Sequence, residues 1–383
     1  MSRVYRLNNA SKQNGEVLVK LLVCAGGTGG GVYPALAVID RLVTEQAVEV
    51  LWVGAEGGME ADLVTRAGIN FTTIPAAGVH GVGLKALPGN LARLVRGFFA
   101  ARELLRQFQP DALFFTGGYV AGPVALAGRK TPTLIFVPDI EPGLALKWLA
   151  RFADRITVVA ETSRTYFSHQ ERVIVSGYPV RGDLTQWEKS AAYQVFDFSA
   201  DLPTLLVTGG SLGARSLNQA LVSSLPELLA EMQIVHITGA RTWEQFKDAK
   251  PALPDHLAAR YRAYPYLHTE MGAALRIADL VVSRAGASSL GEYPHWGLPA
   301  ILVPYPHAWR YQKVNADYLT LQEAAITLAD ETLDVQLAPL VLDLIRDPQR
   351  RAHMSQTMQS LACDDAAAHI AHQITELAAQ SGV

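Results

Sequence analysis

The chain has 383 residues, of which 49% are apolar and 18% charged, so it is not an intrinsically disordered protein, and its length favours two domains over one core. Residues 1–185 carry 19 Lys and Arg against 15 Asp and Glu, whereas residues 186–383 carry 14 against 21. A basic half followed by an acidic half indicates that the first half faces an anionic partner, unless the asymmetry arises by chance.

Strand-like and helix-like patterns alternate through the first half. An apolar run over residues 17–25 ends in glycines and predicts a buried parallel strand, and residues 34–44 have helical character. Further strands are predicted over residues 48–54, 71–75, 112–115, 133–137 and 155–159, with a helix over residues 59–67. Such a βαβ series predicts a doubly wound parallel sheet of the α/β class.

The pattern pauses over residues 182–203, which are polar and show no clear period, and then begins again. Strands are predicted over 204–208, 233–238, 280–283 and 300–303, a helix over 215–229, and a helical tail over 337–380. We therefore divide the chain into residues 1–185 and 186–383, two Rossmann-like halves expected to face each other across a cleft. The C-terminal helices are free to pack back on the first half, and ligands are expected at the carboxyl ends of the strands.

The first candidate site is Gly26-Gly27-Thr28-Gly29-Gly30-Gly31, between a predicted strand and a predicted helix. Glycines let the backbone approach a ligand closely, and a helix N-terminus offers N–H groups to an anion. The spacing is not G-x-G-x-x-G and the second strand ends without a carboxylate, so a dinucleotide site is poorly supported. The stretch does not match a P-loop either, and a tight turn without a ligand is the alternative.

Two stretches of the second half have the same placement. In residues 208–215, Ser211 is able to cap the following helix, to donate to a phosphate oxygen, or both. In residues 283–292, the N–H groups of 286–289 suit a diphosphate, and Glu292 is placed to accept from two ribose hydroxyls unless it is a solvent-exposed helix carboxylate. Arg181, at the end of the first half, is either a diphosphate ligand or an ordinary surface residue.

Several stretches match a known family in chain order. They are residues 26–31 with 33–37 (Tyr-Pro-Ala-Leu-Ala), 117–123 (Gly-Gly-Tyr-Val-Ala-Gly-Pro), 209–218, 285–292, 297–299 (Gly-Leu-Pro) and 303–304 (Val-Pro). Together they resemble the MurG family of N-acetylglucosaminyltransferases, from about Val19 to the C-terminal helices.

The resemblance implies a GT-B fold and inverting transfer of N-acetylglucosamine from UDP-GlcNAc to the muramyl-pentapeptide diphospho-undecaprenol lipid, which completes lipid II in peptidoglycan synthesis. It implies no cofactor and no metal. Carried over by position, the resemblance places Thr28, Gly29 and Gly30 near the donor sugar and the acceptor diphosphate. It places Arg181 and Ser211 on the donor diphosphate, Leu267 on the uracil, Glu292 on the ribose and Gln312 on the sugar. The implied phosphate turn consists of Ala287, Ser288, Ser289 and Leu290.

The chain departs from the family mainly on the acceptor and sugar side. Gly31 replaces a His, residues 136–139 (Phe-Val-Pro-Asp) replace His-Glu-Gln-Asn, Tyr311 replaces the first Gln of a pair, and Leu212 replaces a Gln. Inverting transfer needs a base, and Asp139 is the predicted catalytic residue, with His80 as a weaker candidate. The alternative role for Asp139 is to cap a helix starting near Pro142.

A lipid acceptor requires contact with a membrane, and residues 84–106 suit it. Leu91, Leu94, Val95, Phe98 and Leu105 are predicted to share one helical face, flanked by Lys85, Arg93, Arg96, Arg102 and Arg106. This pattern predicts an interfacial helix on an anionic membrane surface, or alternatively an amphipathic helix packed on the sheet. No apolar run is long enough to span a membrane, and two distant cysteines favour a reducing compartment. The predicted location is peripheral, on the cytoplasmic face of the cell membrane, without a nucleic-acid partner.

Three functions stay open at this point. The chain is the lipid II-forming enzyme, a related UDP-sugar transferase with another sugar or lipid acceptor, or a catalytically weakened nucleotide-sugar-binding paralogue. A non-hydrolysing epimerase shares the architecture but needs carboxylates where this chain has glycine and apolar residues.

Overall fold

The computed structural model describes residues 18–26, 29–56, 60–78, 87–211, 213–249, 252–306 and 310–380. Contacts between residues divide the chain into two units. Unit 1 comprises Met1–Pro179 and Asp364–Val383, and unit 2 comprises Val180–Cys363. The first boundary lies a few residues before the one expected at 185, and the last segment of the chain belongs with unit 1.

Strands and helices alternate along unit 1. The strands are β1 (Val19–Cys24), β2 (Val48–Ala55), β3 (Asn70–Ile74), β4 (Ala112–Phe115), β5 (Thr133–Val137), β6 (Arg155–Val158) and β7 (Val173–Val175). The helices are α1 (Gly29–Glu45), α2 (Glu60–Arg66), α3 (Leu87–Phe108), α4 (Ala121–Ala127), α5 (Leu144–Leu149) and, from the end of the chain, α16 (Ala366–Gln380). The strands form one parallel sheet in the order β3-β2-β1-β4-β5-β6-β7. Every residue of β4 and β5 is buried, as expected for parallel strands covered on both faces.

Unit 2 repeats the alternation. Its strands are β8 (Thr204–Thr208), β9 (Gln233–Ile237), β10 (Tyr261–Tyr264), β11 (Leu280–Ser283), β12 (Ala300–Leu302) and β13 (Ala325–Thr327). Its helices are α6 (Gly182–Thr185), α7 (Lys189–Phe196), α8 (Arg215–Leu229), α9 (Trp243–Ala249), α10 (Asp255–Ala258), α11 (Glu270–Ile277), α12 (Glu292–Trp296), α13 (Tyr311–Leu321), α14 (Leu333–Arg346) and α15 (Pro348–Ser360). The parallel sheet has the order β10-β9-β8-β11-β12-β13, so the predicted α/β class with two doubly wound sheets is confirmed.

The predicted pause over residues 182–203 is wrong as a description of local structure, because α6 and α7 lie within it. Helix α7 buries Ala192, Tyr193 and Phe196 on one side. Three apolar positions in an eight-residue helix are too few to show a period among the surrounding polar residues. Strands β7, β10 and β13 were not predicted either, since each is short and also carries partly exposed residues, so it lacks a continuous buried apolar run.

The strand order of each sheet reverses at one place, between β1 and β4 in unit 1 and between β8 and β11 in unit 2. The chain leaves the two central strands in opposite directions there, so their carboxyl ends border a crevice in which ligands bind. Both glycine stretches of the sequence and residues 285–292 follow these central strands. The motifs therefore lie at the two switch points, each within its own unit.

Candidate active site

The first glycine stretch is partly helical rather than a turn, because α1 begins at Gly29 and includes Gly29, Gly30 and Gly31 in its first turn. Gly27 and Thr28 lie outside the described residues. The carbonyl of Gly31 accepts a hydrogen bond from Thr116 Oγ1 at 2.7 Å, and a Cβ at position 31 would lie 3.2 Å from that hydroxyl oxygen. Thr116 thus occupies the space into which a larger side chain at position 31 would project.

The loop after β4 lies directly against the loop after β1. Gly117 and Gly118 have φ angles of 139° and 87°, which L side chains rarely adopt. A Cβ on Gly118 would lie 3.3 Å from the backbone nitrogen of Gly26. Glycine is therefore required at 118 both by backbone conformation and by the close approach of the two loops at the switch point of unit 1.

The loop between β5 and α5 carries Asp139. Phe136, where the family has a His, is fully buried with its ring centroid 6.0 Å from that of Tyr178, so it contributes to the core. Asp139 is half-buried. Helix α5 begins at Leu144, and within the described residues its N-cap is Gly143, without a side-chain cap. Asp139 is therefore not the N-cap residue of α5.

The same loop contains a carboxylate that the sequence did not single out. Glu141 is only 3% exposed, and its Oε1 lies 3.0 Å from Nζ of Lys147 on α5. The Lys147 ammonium also lies 5.3 Å from the centre of the Tyr166 ring. A single acidic residue in a loop is not a signal in sequence, because only the tertiary structure shows that it is buried.

The second glycine loop, residues 209–213, follows β8. Gly210 and Gly213 have φ angles of 78° and 81°, and the N–H of Gly213 donates to the carbonyl of Gly210 at 3.0 Å. In the described part of α8 the N-cap is Ala214, and no side chain caps the helix. Ser211 is therefore not the N-cap residue of α8, and Leu212 lies outside the described residues.

Arg181, Ser288 and Glu292 come together in unit 2. Residues Ala287–Leu290 form a 3-10 helix, and Glu292 begins α12 as a half-buried residue rather than an exposed one. Burial raises the pKa of Glu292 to about 7, while the Arg181 charge and a hydrogen bond with Ser288 act to lower it and Asp183 acts to raise it. Arg181 Nη1 also lies 3.3 Å from Asp183 Oδ2. Sequence reasoning missed Asp183, although it stands only two residues after Arg181.

The other residues predicted to contact the donor lie in three different elements of unit 2. Ala287, Ser289 and Leu290 are buried in the 3-10 helix, and Leu267 is buried in the loop between β10 and α11. Gln312 lies at the start of α13, where its Oε1 accepts from the N–H of Tyr305 at 2.8 Å.

Arg284 lies within the predicted phosphate stretch 283–292, but the sequence analysis assigned it no role. Its guanidinium is buried, donates to Asp330 Oδ1 at 2.6 Å and to Ser216 Oγ at 2.9 Å, and lies 5.3 Å from the centre of the Tyr305 ring. Ser216, Arg284 and Asp330 follow β8, β11 and β13. The arginine therefore links the segments that follow three strands, including the first turn of α8, at the carboxyl edge of the unit 2 sheet.

Helix α3 corresponds to the predicted interfacial segment, of which residues 84–86 lie outside the described residues. Its solvent-exposed apolar face consists of Leu91, Val95 and Phe99, exposed by 58%, 52% and 61%. The predicted apolar face was partly wrong, because Leu94, Phe98 and Leu105 are half-buried and Phe99 was not included. Arg93, Arg96 and Arg102 are exposed, whereas Arg106 pairs with Glu103 at 2.6 Å.

Neither a metal site nor a membrane span is found among the residues that the structure describes. No cluster of three or more His, Cys, Asp or Glu side chains there is arranged to hold a metal ion. No described helix combines the length and the apolar character needed to cross a bilayer. His80, the weaker candidate for the base, lies outside the described residues.

Comparison with known proteins gives consistent matches to both units. The model of the glycosyltransferase family 28 N-terminal domain matches residues 21–158, and that of the family 28 C-terminal domain matches residues 204–370. One similar relative is a protein of Roseiflexus sp. (strain RS-1), named UDP-N-acetylglucosamine--N-acetylmuramyl-(pentapeptide) pyrophosphoryl-undecaprenol N-acetylglucosamine transferase. It is 39% identical over an alignment of 412 residues, gaps included, that covers 92% of this chain and 93% of the relative.

Solved structures show the same similarity at the level of the fold. The structure of MurG from Acinetobacter baumannii is 28% identical with a TM-score of 0.72, covering 94% of this chain and 100% of that one. This likeness confirms the predicted GT-B fold. UDP-GlcNAc 2-epimerase from Neisseria meningitidis has a TM-score of 0.66 over 94% of this chain and 100% of that one, but at 14% identity this likeness shows the fold alone.

Proposed function

We propose that this chain, which belongs to the MurG family within glycosyltransferase family 28, transfers N-acetylglucosamine from UDP-GlcNAc to muramyl-pentapeptide diphospho-undecaprenol. The product is lipid II, the precursor of peptidoglycan. The observation that carries the donor assignment is the meeting of Arg181, Ser288 and Glu292 at the switch point of unit 2. A cation, a hydroxyl and a carboxylate there match the diphosphate and ribose of a nucleotide sugar.

Each group of this cluster has a distinct chemical use. The Glu292 carboxylate accepts hydrogen bonds from two adjacent ribose hydroxyls, since an ionised carboxylate offers two acceptor oxygens. The Arg181 guanidinium binds the donor diphosphate as a planar fork that stays charged. Ser211, which is not the N-cap of α8, donates to a phosphate oxygen. The first residues of the 3-10 helix, Ala287 and Ser288, present N–H groups to the same anion, whereas the N–H of Ser289 donates to the Gly286 carbonyl.

Transfer replaces one bond to the sugar with another. The acceptor hydroxyl loses its proton to a base, its oxygen bonds to the anomeric carbon, and the bond from that carbon to the UDP oxygen breaks with inversion. Negative charge develops on the leaving diphosphate, where Arg181 and the N–H groups of the turn stabilise it. Donors that are already fixed in place lower the free energy of the transition state, because they need not reorient as the charge develops.

The base is Asp139 on unit 1. The residue is half-buried at the carboxyl end of β5, and the N-cap of α5 is Gly143 rather than Asp139. A carboxylate in this position accepts the proton of the attacking hydroxyl. Gly29 and Gly30, at the N-terminus of α1, supply N–H groups to the acceptor diphosphate.

The lipid acceptor is reached from a membrane surface through α3. Leu91, Val95 and Phe99 form an exposed apolar stripe at i, i+4 and i+8, and exposed arginines flank it. Apolar insertion combined with attraction to anionic headgroups is how interfacial helices bind. The chain is thus a peripheral protein on the cytoplasmic face of the membrane.

The test is transfer by the purified chain with UDP-GlcNAc and a lipid I analogue of shortened lipid, following UDP release and disaccharide formation together. Disaccharide formation is expected, with kcat reduced by about a hundredfold or more in Asp139→Asn, since a positioned base contributes that much. UDP binding without product from any UDP-sugar would leave a nucleotide-sugar-binding paralogue. Product from another sugar or acceptor alone would identify the related transferase.

A further inference from the structure

A series of buried polar side chains lies behind the second glycine loop. His236 on β9 is fully buried, with Nδ1 2.7 Å from Tyr261 Oη and Nε2 3.0 Å from Asn218 Oδ1. Asn218, on α8, donates from Nδ2 to the carbonyl of Thr238 at 2.9 Å and to Thr242 Oγ1 at 3.1 Å. These five residues join β9, β10, α8 and the turn after β9.

The direction of each hydrogen bond follows from the chemistry of the groups. A carbonyl only accepts, so the Asn218 amide must present its NH₂ to Thr238 and its Oδ1 to His236. His236 must then carry its proton on Nε2, and its Nδ1 accepts from the Tyr261 hydroxyl. Burial lowers the pKa of His236 to about 3, so the neutral ring with this tautomer persists at neutral pH.

The residues at the end of this series contact the glycine loop. A Cβ on Gly213 would lie 2.3 Å from the Thr238 carbonyl oxygen and 2.8 Å from Thr242 Oγ1. Gly213 also has a φ angle of 81°, so its backbone is pressed against the two groups that Asn218 holds. The turn at 238–242 therefore packs directly on Gly213, whose N–H donates to the carbonyl of Gly210 in the same loop.

We propose that His236 is a positioning residue for the donor diphosphate. By donating to Asn218 it holds the turn at 238–242, and through that turn it holds loop 209–213 in the shape that binds the phosphates. The inference rests on the proposed function, because it takes loop 209–213 as part of the donor site. Neither the sequence motifs nor the family assignment gives this histidine a role.

A matched pair of variants separates positioning from simple core stability. In His236→Gln the side-chain amide nitrogen takes the place of Nε2 and still donates to Asn218. In His236→Asn the shorter amide takes the place of Nδ1, so the link to Tyr261 remains and the link to Asn218 is lost. Each variant keeps one of the two hydrogen bonds, so both are expected to lose similar thermal stability.

Calorimetric titration with UDP at fixed pH is the primary measurement. His236→Gln is expected to bind within about twofold of the unsubstituted chain and His236→Asn about tenfold more weakly, the loss that one hydrogen bond accounts for. In the transfer assay, the KM for UDP-GlcNAc should rise in His236→Asn while the KM for the acceptor stays unchanged. Should His236→Asn not fold, Asn218→Leu removes the link to His236 together with the bonds to Thr238 and Thr242, and is expected to weaken UDP binding by at least tenfold.

Equal UDP affinity in the two variants, whether at the unsubstituted value or equally weakened, would overturn the inference and leave His236 a core residue. A parallel rise of both KM values would do the same. If the unsubstituted chain bound no UDP, the proposed function would fall, and this inference with it. If the unsubstituted chain bound UDP and the two variants bound it with the same affinity as each other, the inference about His236 would be refuted while the proposed function would stand.

Discussion

At Glu292, burial and ligand binding act on the same proton in opposite directions. Desolvation raises the pKa of this carboxyl to about 7, so the donor-free protein holds it partly protonated at neutral pH. A protonated carboxyl has lost one of its two acceptor oxygens to a donor role. Binding a ribose through two accepted hydrogen bonds therefore requires the proton to leave.

The affinity for the donor should consequently depend on pH. Between about pH 8 and about pH 6 the carboxylate fraction falls roughly tenfold for a group with this pKa, so the Kd for UDP-GlcNAc is expected to rise about tenfold. Isothermal titration across this range measures it, and UDP-GlcNAc is preferable to UDP because its diphosphate diester does not titrate there. Glu292→Gln should bind weakly at every pH, and an equal slope in this variant would place the titrating group elsewhere.

The same residue should limit stability at higher pH. A glutamate exposed in the unfolded chain ionises near its ordinary pKa of 4.5, whereas Glu292 in the folded chain has a pKa of about 7. Its contribution to stability is therefore fully present below pH 4.5 and is lost as the pH rises through about 7. Glu292→Gln is neutral throughout. Its free energy of unfolding is expected to exceed that of the unsubstituted chain by a margin that grows from about pH 5 to about pH 7 and reaches on the order of 1–3 kcal/mol.

Thermal unfolding of the two proteins across this pH range measures that margin. Glu292→Asp is the matched control, since it keeps a carboxyl group and should keep the pH dependence. A constant difference between Glu292→Gln and the unsubstituted chain would mean that the folded state does not perturb this proton.

Sequence reasoning reached the residues whose role depends on a local pattern, and missed those whose role depends on burial. Glu292 and Ser288 follow a strand in a small-residue turn, so their neighbours in sequence point to a phosphate site. Asp183, Glu141 and Arg284 acquire their electrostatic role only from residues brought to them by the fold. The N-cap residues of α5 and α8 are Gly143 and Ala214, so neither Asp139 nor Ser211 is an N-cap. The sequence could not show this, because it predicts the ends of helices only to within a few residues.

At the scale of elements, the central strands of both sheets were predictable, whereas both edge strands of unit 2 and one of unit 1 were not. Strands β4, β5, β8 and β11 have the predicted bounds, because continuous apolar runs buried on both faces have a strong signal. The short strands β10 and β13 lie at the two edges of their sheet and carry partly exposed residues. Their pattern is too brief to separate from a loop.

Helix α3 should bind anionic vesicles through its exposed stripe. Replacing Leu91, Val95 and Phe99 with Ser removes apolar surface that the described part of the unit does not bury, so folding stability is expected to change little while vesicle binding falls by about tenfold or more. Co-sedimentation with vesicles of neutral and anionic lipid measures binding.

A matched control is Leu321→Ser with Val335→Ser in unit 2, two exposed apolar positions without flanking arginines in the pattern of α3. This variant should bind vesicles like the unsubstituted chain. A loss of binding in the control equal to that in the α3 variant would mean that α3 has no special role.

At the scale of the whole chain, the last helix returns to the first unit. Ile370, Ile374 and Leu377 of α16 are buried, α16 packs on α1, and Gln46 Nε2 donates to Thr375 Oγ1 at 2.7 Å. Arg155 on β6 bonds to Gln373 and Glu376 on the same helix. The core of unit 1 therefore includes residues from the end of the chain. A division of the sequence into two contiguous halves does not describe this unit.

Calorimetric unfolding should accordingly show two transitions that respond to different changes. Ile374→Ala leaves a cavity in the core of unit 1 and is expected to cost about 2–5 kcal/mol, lowering one transition by roughly 5–15 °C. Leu344→Ala makes the matched change in unit 2 and should lower the other. Saturating UDP should raise only the transition that Leu344→Ala lowers, because a ligand stabilises the unit that binds it. If UDP raised the transition sensitive to Ile374→Ala instead, the donor would belong to unit 1, and the roles given to Arg181 and Glu292 would be wrong.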